Sequence, residues 1–235
     1  MLLFYIRHGE PIYKPDSLTA RGEEQARALV SRMERVCPDR IFSSTSTRAI
    51  RTAMPTAAHF HLPIRALSWC HESLAAKEFL IEQDGKRNWI FYLPREKQML
   101  CSEEVRALGN EWYRHPYYAG RRHEQGILRV RCETDAFLAD LGYRHDHARH
   151  CFVAERPSDE RIALFAHEGF GALFLSEILD IPLPYFAPHF GMGHSGVTVI
   201  DFRGDGAVIP RVLQLSNDSH LFAQELEIIY HGHSF

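Results

Sequence analysis

Three short apolar runs in this chain each end on polar side chains suited to holding an anion, and that recurrence narrows the fold more than any other feature. The first run, Leu2 to Ile6, leads directly into Arg7-His8-Gly9. The second, Ile41-Phe42, leads into Ser43-Ser44-Thr45-Ser46-Thr47-Arg48-Ala49, where hydroxyls can cap a helix that carries Arg48 in or near its first turn. The third, Ile162 to Ala166, is followed by His167 and then Gly169. In open α/β sheets, ligands gather where the loops leave the carboxyl ends of the strands. If the three runs are neighbouring parallel strands, Arg7, His8, Arg48 and His167 converge on one point. Two guanidiniums and two imidazoles around a point describe a pocket for a phosphoryl group.

The intervening segments fit such a sheet. Ala26, Leu29, Val30 and Met33 recur at helical spacing, so Thr19 to Val36 reads as an amphipathic helix with Thr19 as its N-cap and Cys37-Pro38 as its stop. Asp39 to Phe42 reads as a strand, and about Ser46 to Phe60 as a helix that Pro55 kinks or restarts. Strand, helix, strand, helix argues for a parallel sheet covered by helices. From Ser68 to about His150 no strand is evident, while aromatics are dense; helices are expected from Ser102 to about Arg114 and from Arg122 to Leu141, the latter ended by Gly142. The aromatics are expected to form a small core of this block's own. A further helix spans Gly169 to Leu179. The end reads as a β-hairpin, Val197–Phe202 and Ala207–Leu215 around Arg203-Gly204-Asp205-Gly206, with Pro210 placing its second strand at an edge. The expected architecture is a three-layer α/β sandwich with a mostly parallel central sheet flanked by helices. It is a single domain over residues 1–235, with a largely helical insertion or lid at about 68–150.

Composition excludes little. A net charge of −3 gives no support for nucleic-acid or membrane-surface binding, and no apolar stretch approaches the roughly 20 residues needed to span a bilayer. No basic region precedes the first apolar run and Arg7 interrupts it, so a signal peptide is not expected. Cys37, Cys70, Cys101, Cys132 and Cys151 are scattered and odd in number, which suits reduced thiols in a cytoplasmic protein. Among the 15 histidines, the pairs His59/His61, His145/His147 and His231/His233 invite a metal hypothesis. They lie in segments without carboxylate or thiol partners at ligand spacing, so they read as surface histidines and no metal is expected.

Four stretches in order resemble the histidine phosphatase superfamily, the phosphoglycerate-mutase-like proteins. They are Arg7-His8-Gly9-Glu10; Leu18-Thr19-Ala20-Arg21-Gly22 with Gln25-Ala26; Ser43-Ser44 with Arg48-Ala49 and Thr52-Ala53; and His167 after an apolar strand. The tail His194-Ser195-Gly196-Val197-Thr198-Val199 is also similar to the family's last strand. The resemblance covers roughly residues 1–67 and 160–220. It implies that His8 is the nucleophile, that Arg7, Arg48 and His167 hold the phosphoryl oxygens, and that catalysis needs no cofactor. It also implies an acid after the third core strand, where Glu72 stands; Glu78, Glu82 and Asp84 are alternatives. His220 is taken as structural.

Two departures bear on function. Pro11-Ile12-Tyr13 follows Arg-His-Gly-Glu, and no segment other than Arg121-Arg122, which reads as a helix start, offers a double arginine for a phosphoglycerate carboxylate. Phosphatase is therefore favoured over mutase. Glu168 stands where a small residue is common and is expected to point away from a dianionic ligand. The implied activity is a metal-independent phosphatase acting on a small phosphorylated metabolite through a phosphohistidine. A phosphoglycerate-mutase-type phosphotransferase and a non-catalytic phosphoryl-binding module are the alternatives, and a homodimer stays open.

Overall fold

In a computed structural model of the chain, residues 1–230 are described, together with the backbone of His233 and Ser234. The central sheet has six strands: β1 (Leu2–Arg7), β2 (Arg40–Ser44), β3 (Ile64–Leu67), β4 (Arg161–Ala166), β5 (Val197–Asp201) and β6 (Arg211–Asn217), in the order β6-β5-β1-β4-β2-β3. β1 pairs β4 in parallel with Arg7 opposite Ala166, and β4 pairs β2 in parallel with Phe165 opposite Ser43. The three apolar runs are thus adjacent and end level. β5 runs antiparallel to β1, with Val197 opposite Ile6, so its beginning reaches the same edge.

Side-chain alternation along β1 sorts the core into two faces. Phe4 and Ile6 pack with Leu29, Met33, Ala53 and Ala57 of helices α1 (Ala20–Val36) and α2 (Thr47–Phe60). Leu3 and Tyr5 belong to the opposite cluster, with Ile127, Val130 and Phe137 of α4 (His123–Asp140) and Phe170, Leu173 and Phe174 of α5 (Glu168–Leu179). Helix layer, sheet and helix layer follow from that split. Thr19 caps α1 by accepting from the Gly22 N–H, and Ser46 caps α2 by accepting from Ala49. α2 runs through Pro55 without restarting, because Ala53 and Ala57 are buried against the sheet on either side of it.

Three expectations change. Between Ser68 and His150, helix α3 (Glu72–Phe79) is followed by a hairpin, Leu80–Gln83 with Lys86–Trp89, and Tyr143–Asp146 pairs with Cys151–Ala154. The hairpin turns on Asp84 and Gly85, both at positive φ, and its strands are too polar to show period-two alternation. The aromatics do not form a separate core: Trp69 contacts Phe137, Phe170 and Phe174, and Phe79, Phe91 and Trp112 join the cluster containing Leu3 and Tyr5. The final hairpin is divided at Pro210. Gly206–Val208 pairs with Cys151–Ala154 in a separate three-stranded sheet, while β6 pairs with β5 at the edge of the main sheet.

Candidate active site

The loop after β1 is fixed by a backbone approach that only glycines permit. A Cβ on Gly9 would lie 2.6 Å from the Gly22 carbonyl oxygen, and one on Gly22 would lie 2.3 Å from that of Glu10. The Gly9 N–H also donates to Thr52 Oγ1 of α2 at 2.9 Å. His8 is therefore held from two helices, and it is only 1 % exposed. Its Nδ1 lies 2.7 Å from the Gly9 carbonyl oxygen. A carbonyl only accepts, so Nδ1 carries the proton and Nε2 the lone pair. Burial, then His167, then Arg7 hold the His8 pKa well below the ordinary histidine value, so the ring is neutral.

His167, fully buried at the end of β4, stands 5.2 Å from His8 between ring centroids. Its Nε2 lies 2.8 Å from Ser44 Oγ, and its Nδ1 faces Arg48 Nη2 and Glu72 Oε2, each at 3.2 Å. Arg48 lies in the first turn of α2 and pairs through Nη1 with Asp16 at 2.7 Å. Glu72 is the first residue of α3, where the helix dipole favours a carboxylate, and its Oε1 accepts from the Phe170 N–H at 3.2 Å. Burial pushes its pKa up, but His167 and then Arg48 outweigh that, and the net shift is downward. The Nε groups of Arg7 and Arg48 are buried and have no hydrogen-bond partner among the described residues.

The five residues Arg7, His8, Arg48, Glu72 and His167 thus meet, although they come from four segments of chain. The other carboxylates considered for the acid do not join them. Glu78 pairs with Arg129 at 2.6 Å, Asp84 sits in the hairpin turn 3.8 Å from Arg95, and Glu82 is exposed. Arg121 pairs with Glu96 at 2.6 Å beneath Tyr117 and Tyr118. His220 is buried and supports the site from behind, 2.9 Å from Ser195 Oγ, while the Ser195 N–H donates to the His8 carbonyl.

Glu168 contradicts its expectation. Instead of pointing away, it pairs with Arg7 Nη1 at 2.9 Å and accepts from Tyr92 Oη at 2.6 Å and from the Met192 N–H at 3.2 Å. A guanidinium this far from solvent needs a counter-charge, and the first turn of α5 supplies one. His194 was not among the sequence candidates. Its Nε2 lies 3.0 Å from Arg7 Nη2, its ring is 5.9 Å from His8, and burial followed by Arg7 pushes its pKa down to about 3. An antiparallel β5 beside β1 is the signal that would have found it, since the few residues leading into β5 at Val197 must then lie at the carboxyl end of β1. A cavity of about 470 Å³ opens over Arg7, Glu168, Met192 and His194.

Donor atoms of His8, Glu72 and His167 lie within 4.8 Å of one another, close enough to share a metal. Arg48 Nη2 stands 3.2 Å from His167 Nδ1 and 3.6 Å from Glu72 Oε2, so a cation there would face a fixed positive charge. With Arg7 on the other side, the set suits an anion.

The histidine phosphatase superfamily (branch 1) model matches residues 3–73, which include Arg7, His8, Arg48 and Glu72. No curated protein matches the sequence. Among solved structures, a phosphoserine phosphatase of Entamoeba histolytica in complex with phosphoserine is 18% identical, with a TM-score of 0.58 over 94% of this chain and 98% of that one. A mycobacterial glucosyl-3-phosphoglycerate phosphatase in complex with VO3 is 20% identical, with a TM-score of 0.58 over 92% and 98%. The same mycobacterial phosphatase with inorganic phosphate is 19% identical, with a TM-score of 0.59 over 93% and 98%. At these identities the likeness is one of fold across nearly the whole length. The first 73 residues are thus similar to the histidine phosphatase superfamily model, and nearly the whole chain shares the fold of these solved phosphatases.

Proposed function

We propose that this chain is a metal-independent phosphatase that hydrolyses a small phosphorylated metabolite through a phosphohistidine at His8. The observation that carries the reading is the His8 tautomer: Nδ1 donates to the Gly9 carbonyl, which leaves the Nε2 lone pair on a neutral ring beside two guanidiniums and His167. In the first step Nε2 forms a bond to phosphorus as the ester P–O bond breaks. Arg7, Arg48 and His167 hold the non-bridging oxygens and stabilise the charge that accumulates on them. The unpartnered Nε groups of Arg7 and Arg48 are suited to donate to those oxygens.

Glu72 gives its proton to the departing oxygen, then takes one from the water that attacks the phosphohistidine and releases inorganic phosphate. Before substrate binds, Glu72 is held ionised by His167 and Arg48. A dianionic phosphoryl group engaging Arg48 offsets that influence and raises the Glu72 pKa, so binding itself prepares the acid. Substrate choice belongs to the insertion. Trp89 packs so closely on α5 that a Cβ on Gly169 would lie 2.2 Å from its ring, and Tyr92 holds Glu168.

Phosphate release from a panel of alkyl and aryl phosphomonoesters tests this assignment. Wild type should turn over, His8→Ala should lose at least about 10³-fold, and Glu72→Gln should slow alkyl esters much more than activated aryl ones. Equal losses on both ester types would remove Glu72 as the acid. A second reading, a phosphoryl-binding module without turnover, is favoured by the Arg7–Glu168 pair. Phosphate binding by clean wild type that hydrolyses no ester would select it.

A further inference from the structure

At the opposite end of the sheet from His8, the base of the molecule brings two of the sequence's histidines onto a carboxylate. Helix α4 ends at Asp140, the chain reverses at Gly142 (φ 99°), and Tyr143–Asp146 returns alongside the helix. Asp135, in the last turns of α4, thereby meets His145 and His147. The expectation that these histidines lack a carboxylate partner fails, because the partner comes from ten and twelve residues upstream across a reversal. The side chains of the His231/His233 pair lie outside the described residues.

The geometry is specific. Asp135 Oδ1 lies 2.9 Å from His145 Nδ1, and Oδ2 lies 2.7 Å from His147 Nε2. The two imidazole centroids are 3.9 Å apart, and the three donor atoms all lie within 4.8 Å of one another. His145 is clamped by Phe152, whose ring stacks on it at 4.1 Å, so its orientation is set before any ligand arrives. His147 has a side chain 45 % exposed, which leaves an approach from solvent and room for water in the coordination sphere. Behind the cluster, Arg131 and Glu177 pair at 2.9 Å and neutralise one another.

We propose that Asp135, His145 and His147 bind one borderline divalent transition-metal ion, of which zinc is the best match, and that the ion clips the end of α4 to the hairpin that follows it. Two imidazole nitrogens and one carboxylate oxygen suit zinc, nickel or cobalt, whereas magnesium and calcium require oxygen-rich sets. Water fills the remaining position. The ion is structural: the Met1 ammonium, at the start of β1, lies 3.0 Å from Tyr143 Oη, and β1 separates that point from His8 by on the order of 20 Å. The proposal is independent of the phosphatase reading.

Zinc binding to metal-stripped, untagged protein, followed by calorimetry and by thermal denaturation, tests it. Wild type should bind one zinc per chain and gain about 5–10 °C in melting temperature at a hundredfold excess over the dissociation constant, with no gain from magnesium. His8→Ala should keep that binding. His147→Ala, which alters an exposed side chain, and Asp135→Asn should each weaken it by at least about 10-fold and abolish the gain. Absence of saturable binding overturns the proposal. So does zinc lost in His8→Ala and kept in His147→Ala, which would place the ion among His8, Glu72 and His167. Equal binding by all variants would mean an adventitious ion only.

Discussion

A carboxylate 2.9 Å from Arg7 divides that guanidinium between the protein and any ligand. Arg7 also meets the Met192 carbonyl and His194, so its Nη groups are engaged and its Nε remains for a phosphoryl oxygen. Under the proposed function, Glu168 weakens the binding of dianions in the cavity it lines, and substrates whose leaving group carries no further negative charge are expected. Replacing Glu168 with Gln keeps the hydrogen-bonding shape and removes the charge. Inorganic phosphate should then bind about 10-fold more tightly by calorimetry, a difference of roughly 1.4 kcal/mol; unchanged or weaker binding would mean that Glu168 does not face the ligand. At this scale the sequence named Arg7, His8, Arg48, Glu72 and His167 because each ends or follows an apolar run or matches a family motif. The direction in which Glu168 points was not legible, since it depends on Tyr92 and Met192, which lie 76 and 24 residues away. His194 was hidden for a related reason: its role follows from strand direction, which single-strand patterns do not carry.

Elements were readable where a cap or a period marks them. Thr19 and Ser46 both accept the hydrogen bonds expected of N-caps, and the two helices they begin end where the sequence suggested. Polar hairpin strands escaped, although Asp84-Gly85 carried a turn signal, because Lys-Arg-Asn-Trp has no alternation to read. The last hairpin was misjudged because Pro210, taken as a mark of an edge, also ends one strand and releases the next into another sheet. The contact between the loop after β1 and α1 gives this scale its test. Gly22→Ala forces a methyl group to within 2.3 Å of the Glu10 carbonyl oxygen. Overpacking of that kind should cost about 1–3 kcal/mol, lower the melting temperature by several degrees, and reduce turnover as His8 shifts. An unchanged melting temperature would show that the loop is not pinned there.

For the whole molecule, buried neutral histidines tie stability to pH. Burial first of all holds His8 well below its ordinary value, His123 at about 4 and His220 at about 3. The unfolded chain takes up these protons near pH 6.5 while the folded one does not, so unfolding binds protons below that pH. The stabilisation is complete above about pH 6.5 and is lost as pH falls toward the folded values, by up to about 1.4 kcal/mol per pH unit for each ring. Melting temperature should be level from pH 8 to 7 and fall steadily below 6.5; a flat profile down to pH 5 would mean that these rings are not buried neutral. The layered fold itself was legible from strand and helix order. The merging of the 68–150 aromatics into the main core was not, because nothing local tells a side chain which cluster it will join. The proposed function rests on His8 Nε2 as a nucleophile, and one measurement addresses it most directly: rapid alkaline quenching during turnover of a phosphomonoester, followed by peptide mapping of the trapped phosphoryl group. The account expects the label on His8, discharged to inorganic phosphate on continued incubation and missing from His8→Ala. Phosphate release with no label on His8, or with the label on another residue, would contradict it.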